Sequence, residues 1–248
     1  MKILGIDIGG TGIKGAIVDV KNGKLVSDRF RIATPKPATP NKVSEVINEI
    51  KNHFEWEGDI GCTFPSVVIN GKAKYSSNLD PSWKGVQIDD LFSDYCGGTH
   101  FTVINDADAA GIAELQFGAG RHKSGLVITI TLGTGIGSAM FYDGQLLPNA
   151  ELGHMYGLND RPIEKYAADS IRKLEGLDYE TWGKRVNVFL KNVERVFTPD
   201  FIIIGGGASK KIHKFRNEIT ITTPFAPCEK LNNAGIIGAA YNAADHHE

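Results

Sequence analysis

A short glycine loop occurs twice in this chain, each time between two apolar stretches. Gly10-Thr11-Gly12-Ile13 is followed by Ala16, and Gly133-Thr134-Gly135-Ile136 by Ala139, so four residues and the next alanine repeat at the same spacing. The first copy joins Lys2–Ile8 to Ala16–Val20, and the second joins Leu126–Leu132 to Ser138–Tyr142. Alternating or fully apolar runs of this length read as strands, so each loop is the turn of a hairpin. Each hairpin then meets a second turn dipeptide, Asn22-Gly23 or Asp143-Gly144, of the kind that closes two-residue β-turns. One unit used twice implies internal duplication and two α/β lobes.

The other elements fit that plan. Lys24–Ile32 continues as a third strand, and a proline-rich connector, Thr34–Pro40, leads to a helix over Lys42–Trp56. Val43, Val46, Ile47, Ile50 and Phe54 share one face of that helix. Gly61–Ile69 and Lys72–Tyr75 flank a hairpin turn at Asn70-Gly71. A buried strand, Phe101–Ile104, precedes Asn105-Asp106 and an Ala-rich helix, Ala107–Phe117. Helices are expected over Pro162–Leu174, Tyr179–Phe197 and Ala234–Ala244, with an apolar strand at Phe201–Ile204. The lobes are expected at 1–105 with 234–248, and at 106–233.

With 248 residues, 42% of them hydrophobic, the chain can bury a sizeable core. The net charge of −2 offers no overall attraction to nucleic acid or anionic membrane. Ser124–Tyr142 is uncharged, but its four glycines and three threonines are poor lipid-facing chemistry. The sequence runs from Met1 into strand without a signal-peptide pattern, so a cytoplasmic protein is expected. Three scattered cysteines, Cys62, Cys96 and Cys228, suit reduced thiols rather than a disulfide framework or a Cys-rich zinc site.

Gly10-x-Gly12-x-x-Gly15 matches the dinucleotide fingerprint formally. That motif requires a helix next, and here a strand follows, so the NAD reading fails on context. A glycine turn can still converge backbone N–H groups on a phosphate, with Thr11 or Thr134 adding a hydroxyl and Lys14 a charge. The competing reading is a pair of tight hairpins with no ligand. The third cluster, Gly205-Gly206-Gly207, ends a strand and opens a helix through Lys210–Phe215, which is either an anion site or a plain strand-to-helix turn. Phosphoryl transfer to a hydroxyl needs a base, and Asp106, rigidly placed between strand and helix, suits it; an N-cap is the alternative for Asp106 or Asn105. Asp7 beside the first loop suits Mg²⁺ held through water. Glu151-Leu152-Gly153-His154 offers the carboxylate and imidazole that sugar hydroxyls pair with, or an ordinary surface turn.

Asp7 to Lys14, Asn105-Asp106-Ala107, Gly133 to Gly137 and Glu151 to His154 follow the order seen in ROK-family sugar kinases. The chain resembles that family over nearly its whole length, and within it the bacterial polyphosphate glucokinases. The resemblance implies an α/β actin/hexokinase-like (ribonuclease H-like) fold of two lobes with a central cleft and duplicated β-hairpin phosphate loops. It implies Asp106 as catalytic base, and Asn78, Asn105, Glu151 and His154 as sugar ligands. Gly9, Gly10, Thr11, Gly12, Gly133, Thr134 and Gly135 become phosphate segments, and Gly205–Gly207 the nucleotide-side segment. Glucose, Mg²⁺ and polyphosphate or ATP are the implied substrates and cofactor, and a homodimer the implied assembly. Where many members carry a cysteine-rich zinc loop, Met155–Ala168 holds no cysteine, so no zinc site is expected. The DNA-binding segment of ROK repressors has no counterpart before the first phosphate strand, which argues against a nucleic-acid partner. A track for polyphosphate would need cations such as Lys14, Lys210, Lys211, Lys214 and Arg216; a solvated lysine face is the plain alternative. The rival functions are an ATP-only kinase for mannose or an N-acetylhexosamine, and a sugar sensor without catalysis.

Overall fold

The computed structural model describes residues 1–75, 79–157 and 160–245. In chain order it contains β1 (Lys2–Gly9), β2 (Gly12–Asp19), β3 (Lys24–Leu25), β4 (Phe30–Ile32), α1 (Pro40–His53), β5 (Ile60–Phe64), β6 (Val68–Ile69) and β7 (Lys72–Ala73). There follow α2 (Ile88–Tyr95), β8 (Phe101–Asn105), α3 (Asp106–Phe117), β9 (Leu126–Leu132), β10 (Ile136–Tyr142) and β11 (Gln145–Leu147). The rest is α4 (Glu164–Ala167), α5 (Asp169–Leu174), α6 (Tyr179–Phe197), β12 (Phe201–Gly205), β13 (Phe225–Pro227) and α7 (Ala234–Asp245). Two compact units result, Met1–Ala113 with Asn233–Glu248, and Glu114–Asn232, and the break falls inside α3.

In the first unit the sheet order is β3-β2-β1-β5-β8, with β4 also on β2. The β1–β2 hairpin is antiparallel, whereas β5 and β8 add in parallel. Its core joins Leu4, Ile6 and Ile8 of β1 to Val43, Ile47 and Ile50 of α1 and to Trp83, Phe92 and Phe101. These α1 positions lie on the helical face read from sequence. Pro40 occupies the first turn of α1, where its missing N–H costs nothing.

The second unit repeats the arrangement as β11-β10-β9-β12-β13. An antiparallel hairpin again leads, and two parallel strands again follow. Leu4 faces Ile60 and Val127 faces Phe201, and the offset from Leu4 to Val127 equals that from Gly10 to Gly133. The repeat read in the glycine loops therefore extends to strand order and register. The two loops differ by one residue: Gly9 pairs with Gly12 across a two-residue turn, whereas Leu132 pairs with Ile136 across three. The core of this unit is Ile128, Ile130, Ile202 and Ile204 against Trp182, Val186, Phe189, Leu190 and Val193 of α6. Asp178 caps α6 by accepting from the Thr181 N–H at 2.7 Å.

Several expectations need correction. The strand expected over Lys24–Ile32 is broken into β3 and β4, because the Ser27 hydroxyl accepts from the Ile17 N–H at 2.9 Å in place of a ladder carbonyl. The Asn22-Gly23 turn is a longer loop between Asp19 and Lys24, organised by the Asp19 carboxylate. The helix expected over Pro162–Leu174 is two short ones, interrupted where Ala168 is extended at φ −66° and ψ 152°. Gly207–Lys214 forms a 3₁₀ run with a kink at Lys211, not the α-helix expected there. Among the described residues, no helix is long and apolar enough to cross a membrane.

Candidate active site

In the first unit, Asn105 ends β8 and Asp106 opens α3. Asn105 is the cap: its Oδ1 accepts from the N–H groups of Ala107 at 2.8 Å and Asp108 at 3.2 Å. Its Nδ2 donates to the Ser66 carbonyl at 3.0 Å. Of the four bonds an asparagine amide can make, these use three and leave one N–H for a ligand. The buried Asn105 thus fixes the start of α3, and Asp106 stands exposed on its first turn.

One row across the sheet carries the rest of the polar groups. Asp7 is the register partner of both Thr63 and Lys14. The Thr63 hydroxyl donates to Asp7 Oδ1 at 3.0 Å, and Lys14 Nζ lies 3.1 Å from Asp7 Oδ2. Lys14, read as a phosphate ligand, and Asp7, read as a metal holder, are therefore an ion pair in this structure. Loop one, Gly9–Gly12, is braced from outside by Thr34, which donates to the Gly9 carbonyl, and by Arg31, whose Nη2 donates to Thr11 O at 2.7 Å.

In the second unit the glycine loop and the Glu151 cluster are built as one piece. The buried Ser138 donates its hydroxyl to Ala150 O and accepts from the Leu152 N–H at 2.9 Å, clamping the backbone on both sides of Glu151. Leu152 enters the core, and Gly153 lies so close to β10 that a Cβ there would meet Ile136 O at 2.2 Å. Glycine is thus obligatory at 153, and Glu151 and His154 are carried beside the loop, with His154 Nδ1 3.9 Å from Glu151 Oε2. Gly206, at φ 79°, abuts the backbone of Leu132 at the loop's start; a Cβ would meet its carbonyl oxygen at 2.5 Å. Lys210 and Lys211 are exposed on the 3₁₀ run that follows, and Lys210 Nζ is 3.5 Å from Asn232 Oδ1. Asn78 lies outside the described residues.

Sequence reasoning missed two groups here. The carboxylate of Glu164 accepts from the Ile136 N–H at 3.4 Å, directly after loop two. Ser170 donates from its N–H to Gly133 O at 3.1 Å and from its hydroxyl to Thr134 O at 2.6 Å. The break at Ala168 makes this possible, since it restarts the helix with Ser170 facing the loop. No local signal announces either contact. Burial pushes the Glu151 carboxyl above the usual carboxylate range; His154 opposes the shift and Glu164 adds to it. Among the described residues, no group of three or more His, Cys, Asp or Glu is placed to hold a metal ion.

A family profile described as the ROK family matches residues 3–163, well over half of the chain. The chain belongs to the ROK family. Polyphosphate glucokinase of Mycobacterium tuberculosis (strain ATCC 25618 / H37Rv) is 44% identical over 236 residues, covering 95% of this chain and 89% of that protein. The crystal structure of the inorganic polyphosphate/ATP-glucomannokinase from Arthrobacter sp. strain KM superposes with a TM-score of 0.94 at 42% identity over 99% of each chain. A ROK family glucokinase from Streptomyces griseus, in complex with glucose and AMPPNP, shares the fold at a TM-score of 0.83 and 23% identity, over 99% of this chain and all of that one. The α/β, actin/hexokinase-like architecture of ROK kinases is thus the architecture of this chain.

The ROK assignment gives the position of Glu151 a measurable consequence. A carboxylate can accept from sugar hydroxyls, and if Glu151 holds glucose in this way, Glu151→Ala is expected to raise the glucose KM by about tenfold or more with the donor KM unchanged. Because its pKa is raised, the acid limb of kcat/KM for glucose should lie above the ordinary glutamate range. Glu164→Gln removes a nearby negative charge, favours the ionised form of Glu151 and should move that limb to lower pH. A limb that stays in place would remove Glu151 from the titration.

Proposed function

We infer that this chain is a glucokinase that transfers a phosphoryl group from polyphosphate or ATP to the 6-hydroxyl of glucose, giving glucose 6-phosphate. The observation that carries the reading is 44% identity, over 95% of the chain, to a polyphosphate glucokinase. The 42% identity to a polyphosphate/ATP-glucomannokinase over nearly the full length of both chains supports the same donors.

In this reading Asp106 accepts the proton of the 6-hydroxyl as that oxygen attacks the terminal phosphorus, and the bond to the leaving phosphate oxygen breaks. Asn105 supplies its remaining N–H, and Glu151 and His154 pair with further sugar hydroxyls; Asn78 belongs to the same proposed set. The two glycine loops hold donor phosphates with backbone N–H groups, and Gly205–Gly207 with Lys210 and Lys211 serve the donor side. Mg²⁺ bound by phosphates keeps several waters and takes only one or two carboxylates, which fits the lone Asp7 carboxylate steadied by Thr63. When bound, Mg²⁺ supplies charge neutralisation on the transferring phosphate. Asp7, steadied by Thr63 and paired with Lys14, would be the residue that holds Mg²⁺ through water.

A second acceptor deserves a specific test, because the Arthrobacter relative is named for mannose as well as glucose. Measured with one donor across glucose, mannose and N-acetylglucosamine, kcat/KM is expected to be highest for glucose. A preference for N-acetylglucosamine, or turnover of mannose alone, would reassign the acceptor.

A further inference from the structure

We propose that Arg31 is a phosphate-binding residue of the first glycine loop, taking a phosphate of the phosphoanhydride donor. The proposal rests on the kinase reading above but makes its own claim about the donor. Thr63, Asp7, Lys14 and Arg31 are successive register partners on β5, β1, β2 and β4, so they form one row across four neighbouring strands. Directly opposed residues project from the same face of a sheet. The row runs from a fully buried Thr63 to an exposed Arg31 at the loop.

Two cations directly opposite each other destabilise a sheet unless charge offsets them. Asp7 offsets Lys14 at 3.1 Å. Arg31 has no such partner: among the described residues no carboxylate lies within 4.0 Å of it. The row therefore carries one excess positive charge, held at the tip of a glycine turn. Its guanidinium is also fixed in place. Nη2 donates to the Thr11 carbonyl, and the group lies over Gly12, where a Cβ would meet Nε and Nη2 at 2.5 Å each. Glycine at 12 makes room for the guanidinium itself. A planar fork anchored by one N–H keeps four others in fixed directions, which suits bidentate recognition of phosphate oxygens. A mere brace for the turn would need only the one bond to Thr11 and no charge.

That distinction gives the test. Arg31→Gln keeps an amide N–H for the Thr11 carbonyl and loses the charge, Arg31→Lys keeps the charge, and Arg31→Ala loses both. Binding of tripolyphosphate is measured by calorimetry on the full chain, beside KM values for polyphosphate, ATP and glucose. Loss of a charged hydrogen bond to phosphate corresponds to about tenfold to hundredfold weaker binding. Arg31→Gln and Arg31→Ala should both show it, Arg31→Lys should recover part, and in Arg31→Gln, which keeps an N–H for Thr11, the glucose KM and melting temperature should stay unchanged. A KM that rises for polyphosphate alone assigns Arg31 to the chain beyond the ATP-sized donor; a rise for both donors assigns it to their shared phosphates. The salt dependence of tripolyphosphate binding should flatten in Arg31→Gln, since one counterion-releasing contact is gone. Wild-type binding in Arg31→Gln would overturn the proposal, as would a wild type that does not bind tripolyphosphate. A wild type that binds it through Arg31 yet leaves glucose unphosphorylated would sink the kinase reading and keep this one.

Discussion

Asp106→Asn is expected to lower turnover by about 10²–10⁴-fold, the range for loss of a general base, while glucose still binds with near wild-type affinity. The two halves of that expectation come from different residues. Asn105 caps α3 with its amide oxygen, so the start of the helix should survive the substitution. Asparagine at 106 is nearly isosteric with aspartate but accepts a proton far less readily, so the chemical step should fail where binding does not. Single-turnover rates and glucose titration on the same preparation separate the two. Wild-type turnover in Asp106→Asn would return that residue to a helix-end role, and lost folding would show that the carboxylate serves the structure.

The largest effect on stability is expected at Glu114, a residue with no proposed part in the chemistry. Its carboxylate is 1% exposed and accepts from the backbone N–H groups of Ala119, Glu229 and Lys230, the last at 2.6 Å. Glu114→Ala removes the shared acceptor of three partly buried N–H groups, which costs about 2–4 kcal/mol at roughly 1 kcal/mol per hydrogen bond. Glu114→Gln keeps one carbonyl acceptor and should cost roughly half as much. Chemical denaturation of the three proteins tests this, and a change below about 1 kcal/mol in Glu114→Ala would mean that water replaces the carboxylate. The effect should also reach the donor side. Glu114 fixes the segment just after Cys228, whose Sγ lies 3.2 Å from Ser209 Oγ, and that hydroxyl also donates to Gly206 O at 2.7 Å.

What the sequence made legible was local. Asn70-Gly71 and Asp143-Gly144 are turns with positive φ at both residues, as their side chains permit. Tyr179–Phe197 is helical over the range its apolar spacing gives, because nineteen residues supply enough turns for the period to stand out. Short or irregular elements were not legible. The eight residues of α2 carry too little pattern, and β13 is a three-residue strand ending in proline. The reason is the same at the candidate site. Asp106, Glu151 and the glycine loops announce themselves because each motif is contiguous. Thr63 on Asp7, Arg31 on Thr11, Ser170 on Thr134 and Glu164 on Ile136 are contacts between distant positions, fixed only once strands and helices pack. Burial acts likewise on the cysteines: it pushes the Cys62 thiol well up and that of Cys96 to about 11, so both stay protonated and slow to react.

The central claim is phosphoryl transfer to glucose, and a coupled assay for glucose 6-phosphate tests it directly. The purified chain is given glucose and Mg²⁺ with polyphosphate in one series and ATP in the other. The account predicts glucose 6-phosphate in both series, at rates that Asp106→Asn reduces together. Absence of glucose 6-phosphate with either donor, from protein that binds glucose, would contradict it.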